Sequence, residues 1–197
     1  MPFWGDVQSF KSSDSSSFPP KNAILFIGSS SFTNWKDAQE HFPRHTIVNR
    51  AFGGSSLPDL IRYADDIVFT YQPKQIVIYC GENDIAASDT VSAKMVFSRF
   101  KELFQIIRNR MPAVPIAYVS MKPSPSREGL WPKMVEGNRL IKNFLKKKQG
   151  TAFIDVYHKM FDKQGHVMTD IFIADNLHMN AKGYLIWQKI IEPYLLP

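Results

Sequence analysis

The apolar run Ala23-Ile24-Leu25-Phe26-Ile27 stops abruptly at Gly28, and Ser29-Ser30-Ser31-Phe32-Thr33-Asn34-Trp35 follows. A short run with no polar position reads as a strand covered on both faces, which is the habit of a parallel sheet sandwiched between helices. Gly28 then marks a tight turn, and Thr33 to Phe42 reads as the helix after it. In open α/β sheets the C-terminal ends of the strands form the edge where ligands bind, because the strands hold the loops there rigidly. A hydroxyl at that edge, beside the free N–H groups of a helix start, joins a nucleophile to part of an oxyanion site. Ser30 is the candidate nucleophile.

The remainder of the chain alternates short β-rich runs with longer stretches of helical period, so an α/β fold with a five-stranded parallel sheet is expected. The strands are placed at residues 23–28, 46–49, 75–80, 115–120 and 152–156. Between the third and fourth, Val96, Phe100, Leu103, Phe104 and Ile107 recur at offsets of three or four, an apolar stripe for the sheet. Residues 134–149 repeat the pattern with Leu140, Ile141, Phe144 and Leu145, and Gly150 is the candidate residue past the helix end. Tyr184, Trp187, Ile190 and Ile191 mark a last helix, with Asn180 as its N-cap. The expected loops at the binding edge are 28–32, 50–57, 81–88 and 121–133, joined by the long segment 157–179.

With 197 residues, 44% of them hydrophobic, the chain suits one domain with one substantial core. That domain is placed at 21–197, and the serine-rich stretch 1–20, ending in Pro19-Pro20, reads as an N-terminal arm. The arm has no apolar core of the kind a signal peptide carries, so the chain reads as cytoplasmic as written, or exported if a leader has been removed. No stretch approaches the length of a membrane span, so integral membrane contact is not expected. The net charge of +6 is dispersed apart from Lys146-Lys147-Lys148, which sits where a helix ends and suits its dipole. Nucleic acid is therefore not implied. The single cysteine, Cys80, cannot form an internal disulfide and lies in an apolar run, where a thiol is ordinarily inert.

Two binding-edge loops carry further chemistry. In Asn49-Arg50-Ala51-Phe52-Gly53-Gly54-Ser55-Ser56 the paired glycines let the backbone approach another group closely and expose an N–H to it. In Gly81-Glu82-Asn83-Asp84 a carboxamide sits among acids, able to donate to an oxyanion without bringing a titrating proton. A serine nucleophile also needs a base, for which histidine, with an ordinary pKa of about 6.5, is suited. Of five histidines, His41 and His45 flank Pro43-Arg44 ahead of the second strand, on the opposite edge, and His166 follows Gly165 in a surface turn, whereas His158 and His178 each follow an aspartate by three residues, Asp155 and Asp175. Spacing alone does not choose between these pairs.

Gly28-Ser29-Ser30-Ser31, Gly53-Gly54, Gly81-Glu82-Asn83-Asp84 and Asp175-Asn176-Leu177-His178 occur in the order of the four blocks of the SGNH hydrolases, also called GDSL-like esterases. The chain resembles this family from Ala23 to its last helix, most of all the branch of the platelet-activating-factor acetylhydrolase subunits and related bacterial acylhydrolases. Ser29 stands where that pattern has aspartate, and Ala51 where a glycine is common. The resemblance implies a flavodoxin-like three-layer α/β/α sandwich with strand order 2-1-3-4-5 and cofactor-free, metal-free hydrolysis of an acyl ester. It also implies roles: Ser30 as nucleophile, His178 as general base, Asp175 as its orienting acid, and the N–H groups of Ser30 and Gly54 with the Asn83 side chain as oxyanion donors. The expected substrate is a small-molecule or carbohydrate ester of a short acyl group, acetyl above all. Lysophospholipid or thioester cleavage, or a non-catalytic carbohydrate-binding or scaffold role, are the alternatives. Trp131, in the loop 121–133, is expected either to wall the substrate or to pack on the core.

Overall fold

Each strand of the sheet divides its side chains between two apolar layers, and that division sets the architecture. The computed structural model describes residues 1–197. In chain order it contains α1 (Trp4–Ser16), β1 (Ile24–Gly28), α2 (Ser30–Thr33), α3 (Ala38–His41), β2 (Ile47–Asn49), α4 (Leu57–Arg62), β3 (Gln75–Tyr79), α5 (Glu82–Ala86), α6 (Ala93–Arg110), β4 (Ile116–Val119), α7 (Trp131–Leu145), β5 (Thr151–Ile154) and α8 (Ala181–Ile191). The five strands are all parallel, in the order β2-β1-β3-β4-β5. Leu25 and Ile27 of β1, Ile76 and Ile78 of β3, and Ile116 and Tyr118 of β4 join one core with residues of α1, α4, α6 and α7. Their neighbours Ile24, Phe26, Val77, Tyr79, Ala117 and Val119 join the other, with Phe32, Ala38 and the α8 residues Tyr184 and Trp187. The result is the three-layer α/β/α sandwich of the expected strand order.

The central pair β1 and β3 is held in register from Ile24 opposite Gln75 to Gly28 opposite Tyr79. At Gly28, with φ +144°, a side chain would lie 1.9 Å from the Tyr79 carbonyl oxygen, so only glycine permits the two strand ends to stay together there. The chain leaves that end directly into Ser29 and α2.

Several elements differ from the sequence expectations. Thr33 to Phe42 is not one helix but two separate turns, α2 and α3, because the chain bends between them to bury Trp35 against Phe26, Phe42, Tyr184 and Trp187. The loop expected at 81–88 holds α5, into which Gly81 turns the chain with φ +130°. The helix expected at 134–149 runs from Trp131 to Leu145; Pro132 in its first turn starts it early, and Gly150, with φ +63°, belongs to the turn into β5. Asn180 caps α8 as expected, accepting from the N–H groups of Lys182 and Gly183.

The serine-rich start of the chain, read as an arm, contains the helix α1. Its apolar signal is one buried residue, Val7, so its place depends on contacts far along the chain. Asp14 pairs with Arg50 and accepts from the Tyr71 hydroxyl, and the Tyr63 hydroxyl donates to the Pro2 carbonyl. No helix is long and apolar enough to cross a membrane.

Candidate active site

Ser30 is the first residue of α2, two residues past Gly28 at the end of β1. The first N–H groups of a helix have no carbonyl one turn back to bond, so this position brings free donors with the hydroxyl. His178 arrives from the other end of the chain, just before α8. That helix is tied down beside α2 by the Tyr184 hydroxyl, which donates to the Ser31 carbonyl at 2.9 Å. The segment ahead of it is folded back on itself by an antiparallel bridge between Phe172 and Met179, with Asn176 at φ +53° in the turn.

These supports bring the two residues into contact. His178 Nε2 lies 2.9 Å from Ser30 Oγ, and His178 Nδ1 lies 2.6 Å from Asp175 Oδ2. The other Asp175 oxygen accepts from the N–H groups of Leu177 and His178 at 2.8 and 2.9 Å. Burial pushes the Asp175 carboxyl up, but the hydrogen bonds from the His178 N–H, the His178 ring and the Leu177 N–H outweigh it and hold it at about 2. An ionised carboxylate only accepts, so the proton of neutral His178 sits on Nδ1 and Nε2 is left to accept from the serine hydroxyl.

The alternative pair is formed as well, but elsewhere. His158 Nδ1 is 2.8 Å from Asp155 Oδ2 at the end of β5, with the ring largely exposed and no serine among its partners. His45 bonds the Leu196 carbonyl, His41 pairs with Asp37, and His166 faces Asp162. Cys80 is buried, its Sγ 3.7 Å from the Ser55 carbonyl, and burial with Asp84 nearby raises its thiol well above the usual range. A thiol so placed is no nucleophile.

Gly53 and Gly54 pass directly beside the serine. A side chain at Gly53 would lie 4.0 Å from Ser30 Cβ, and one at Gly54, where φ is +83°, would lie 3.7 Å from the ring of Phe3. Ser55 anchors the turn from below, its buried hydroxyl donating to the Gly28 carbonyl at 3.0 Å. Asn83, in α5, donates from Nδ2 to the Ser55 carbonyl at 2.9 Å and accepts at Oδ1 from Arg127 at 2.8 Å. Trp131 starts α7; its indole N–H donates to the Ser124 carbonyl at 3.0 Å, and its ring packs on the core and edge-on to Phe161.

Beneath Asn83 lies a group of charges that the sequence reading passed over. Glu82 and Lys122 are both almost fully buried, with Lys122 Nζ 3.1 Å from Glu82 Oε2 and the Lys122 N–H 2.8 Å from Oε1. The Tyr79 hydroxyl also donates to Glu82, and Arg127 lies 3.5 Å from it. Burial pushes the Glu82 carboxyl up, and Lys122, Arg127 and Tyr79 together more than reverse that. The available signal was the run Lys122-Pro123-Ser124-Pro125-Ser126-Arg127, two cations leaving the end of β4 at the binding edge.

Solved structures share this fold across nearly the whole chain. A Streptococcus pneumonia protein provisionally named a platelet activating factor superimposes with a TM-score of 0.84 at 22% identity, covering 98% of this chain and 92% of its own. A Bacteroides fragilis protein provisionally named an acylhydrolase gives 0.81 at 18% identity, covering 97% and 96%. The Clostridium thermocellum family 3 carbohydrate esterase gives 0.68 at 15%, covering 89% and 97%. No curated protein matches the chain's sequence. The family model of the GDSL-like lipases and acylhydrolases, however, matches residues 22–186, from the start of β1 into α8, and the chain accordingly belongs to that family of hydrolases acting on esters.

Proposed function

We propose that the chain is a serine esterase that removes short acyl groups, acetyl above all, from a carbohydrate through an acyl-serine intermediate. The observation that carries this reading is the unbroken line from Asp175 through His178 to Ser30, at 2.6 and 2.9 Å. Ser30 Oγ attacks the ester carbonyl as His178 Nε2 takes its proton, forming the Oγ–carbon bond and a tetrahedral oxyanion. The N–H groups of Ser30 and Gly54 and the Asn83 carboxamide hold that negative charge. His178 then protonates the departing alkoxide as the ester bond breaks. Water, deprotonated by the same ring, attacks the acyl-serine, releases the acid and restores Ser30. Asp175 holds the ring in the required tautomer.

The acyl group and its carrier rest on separate supports. A side chain at Gly54 would meet the Phe3 ring at 3.7 Å, and an aromatic ring that near a residue assigned to the oxyanion supports the reading of a small acyl group. The carbohydrate assignment leans on the name of the Clostridium thermocellum esterase that shares the fold.

Initial rates on p-nitrophenyl acetate, butyrate and octanoate test the reading, with Ser30→Ala as the control. Rates should fall with chain length and drop by roughly a thousandfold or more in the variant. Equal rates in the two proteins would remove Ser30 from the mechanism, and a preference for octanoate would remove the short-acyl assignment. Because an imidazole base acts only when neutral, kcat/KM should also decline in acid; a flat profile from about pH 5 to about pH 8 contradicts a histidine base.

A further inference from the structure

A carboxamide can sit in either of two orientations related by a half-turn, and only one of them presents hydrogens where oxygen stands in the other. At Asn83 the neighbours decide. Arg127 Nη2 lies 2.8 Å from Oδ1, and the Ser55 carbonyl oxygen lies 2.9 Å from Nδ2. A guanidinium only donates and a carbonyl only accepts, so a turned amide would set donor against donor and acceptor against acceptor. In the orientation present, one Nδ2 hydrogen goes to Ser55 and the second is left for the site. A cation on Oδ1 also draws electron density from the amide and makes the remaining N–H the stronger donor.

Arg127 is itself held. Its other terminal nitrogen lies 3.5 Å from Glu82 Oε2, and Glu82 is fastened by Lys122 and Tyr79. The same segment reaches the base. Ser126 donates from its N–H and its hydroxyl to the Asn176 carbonyl at 3.1 and 3.0 Å, and Ser124 Oγ donates to the Leu177 carbonyl at 3.4 Å, both within the Asp175–His178 turn.

We infer that Arg127 is a positioning residue for the oxyanion donor: it locks the Asn83 carboxamide in its donating orientation. The segment it belongs to ties that donor to the turn carrying the base. The inference rests on the reading of Asn83 as an oxyanion donor under Proposed function.

The test is a double-mutant cycle on p-nitrophenyl acetate with wild type, Arg127→Met, Arg127→Lys, Asn83→Ala and the Arg127→Met/Asn83→Ala pair, each checked for folding by circular dichroism. Removal of one oxyanion donor costs about a hundredfold to a thousandfold in kcat. Mispositioning it should cost roughly ten- to a hundredfold in Arg127→Met, with KM and the acid limb of the pH profile unmoved. Inhibition by phenylboronic acid, whose serine adduct occupies the same donors, should weaken in parallel. Arg127→Lys keeps the charge beside buried Glu82 and should recover part of kcat, and it stands in should the methionine variant fail to fold. In the Asn83→Ala background the Arg127 change should cost less than about threefold, since the group it positions is gone.

Wild-type kcat in folded Arg127→Met overturns the inference. So does an equal loss with and without Asn83, or a rise in KM alone, either of which would assign Arg127 to the substrate. Full activity in Asn83→Ala beside a dead Ser30→Ala would instead overturn the oxyanion role of Asn83 and this inference with it, while leaving the serine mechanism standing.

Discussion

His158 and His178 are each three residues past an aspartate, and each ring is 2.8 Å or less from its carboxylate. They differ in what the far nitrogen meets. His178 Nε2 meets Ser30 Oγ, whereas the His158 ring stands largely in solvent beyond the end of β5. His178→Ala should therefore lower kcat by roughly a thousandfold or more, and His158→Ala should leave it near the wild-type value. The reverse result, read from initial rates on p-nitrophenyl acetate, would assign the base to the other pair. Arg127 stayed silent in the sequence for a related reason. An arginine in a loop is ordinarily a solvated charge, and its hydrogen bond to Asn83 spans 44 residues of chain.

The elements read most clearly were those whose local pattern agrees with their tertiary place. The stripe from Val96 to Ile107 is the buried face of α6, and the strands β1, β3 and β4, apolar but for Gln75 at the start of β3, are buried along their whole length. The helix α1 is the opposite case. Five of its thirteen residues are serine and no apolar stripe runs along it, and it is secured by Val7 and by Asp14, whose partners Arg50 and Tyr71 lie in a different part of the chain. Both side chains of the Asp14–Arg50 pair are largely buried, at 9% and 14% exposure, so removing one strands the other's charge. Asp14→Ala should cost about 3 kcal/mol of folding stability, the usual scale for breaking a buried pair, and lower the urea midpoint accordingly. Because Asp14 is not part of the serine–histidine line, kcat of the folded variant should stay near wild type. A midpoint equal to wild type would show that α1 is not held this way.

At the scale of the whole molecule, the chain's carboxylates set its behaviour in acid. Asp175, at about 2, and Glu82, also below its ordinary value, bind fewer protons in the folded chain than in the unfolded one. Their stabilisation is complete above the unfolded values of about 4 and is lost as pH falls from there through the folded values. Asp84 works against them, because burial raises its carboxyl despite the Leu57 N–H and Arg99. With Glu136 also lowered, by its exposed hydrogen-bonded pair with Arg139, three depressed carboxylates against one raised predict a urea midpoint that declines between about pH 5 and about pH 2, with a shallower decline in Glu82→Gln. A midpoint flat over that range would contradict the balance.

By itself the sequence determined the layers, the parallel sheet and the loops at its active edge, because burial on one face or two is written into which residues are apolar and at what period. It also placed Ser30, the paired glycines and Asn83 at strand ends, since a strand ends where its apolar run meets a glycine. The order of the four sequence blocks pointed to Asp175 and His178 where spacing did not, but the tertiary structure alone brought that pair to Ser30, folded a serine-rich start as α1, and gathered Lys122, Glu82 and Arg127 near Asn83. Each of these is a contact between segments far apart in the chain. Hydrogen bonds are made or lost over a few tenths of an ångström, a precision set by how the layers pack and not by any local pattern of residues.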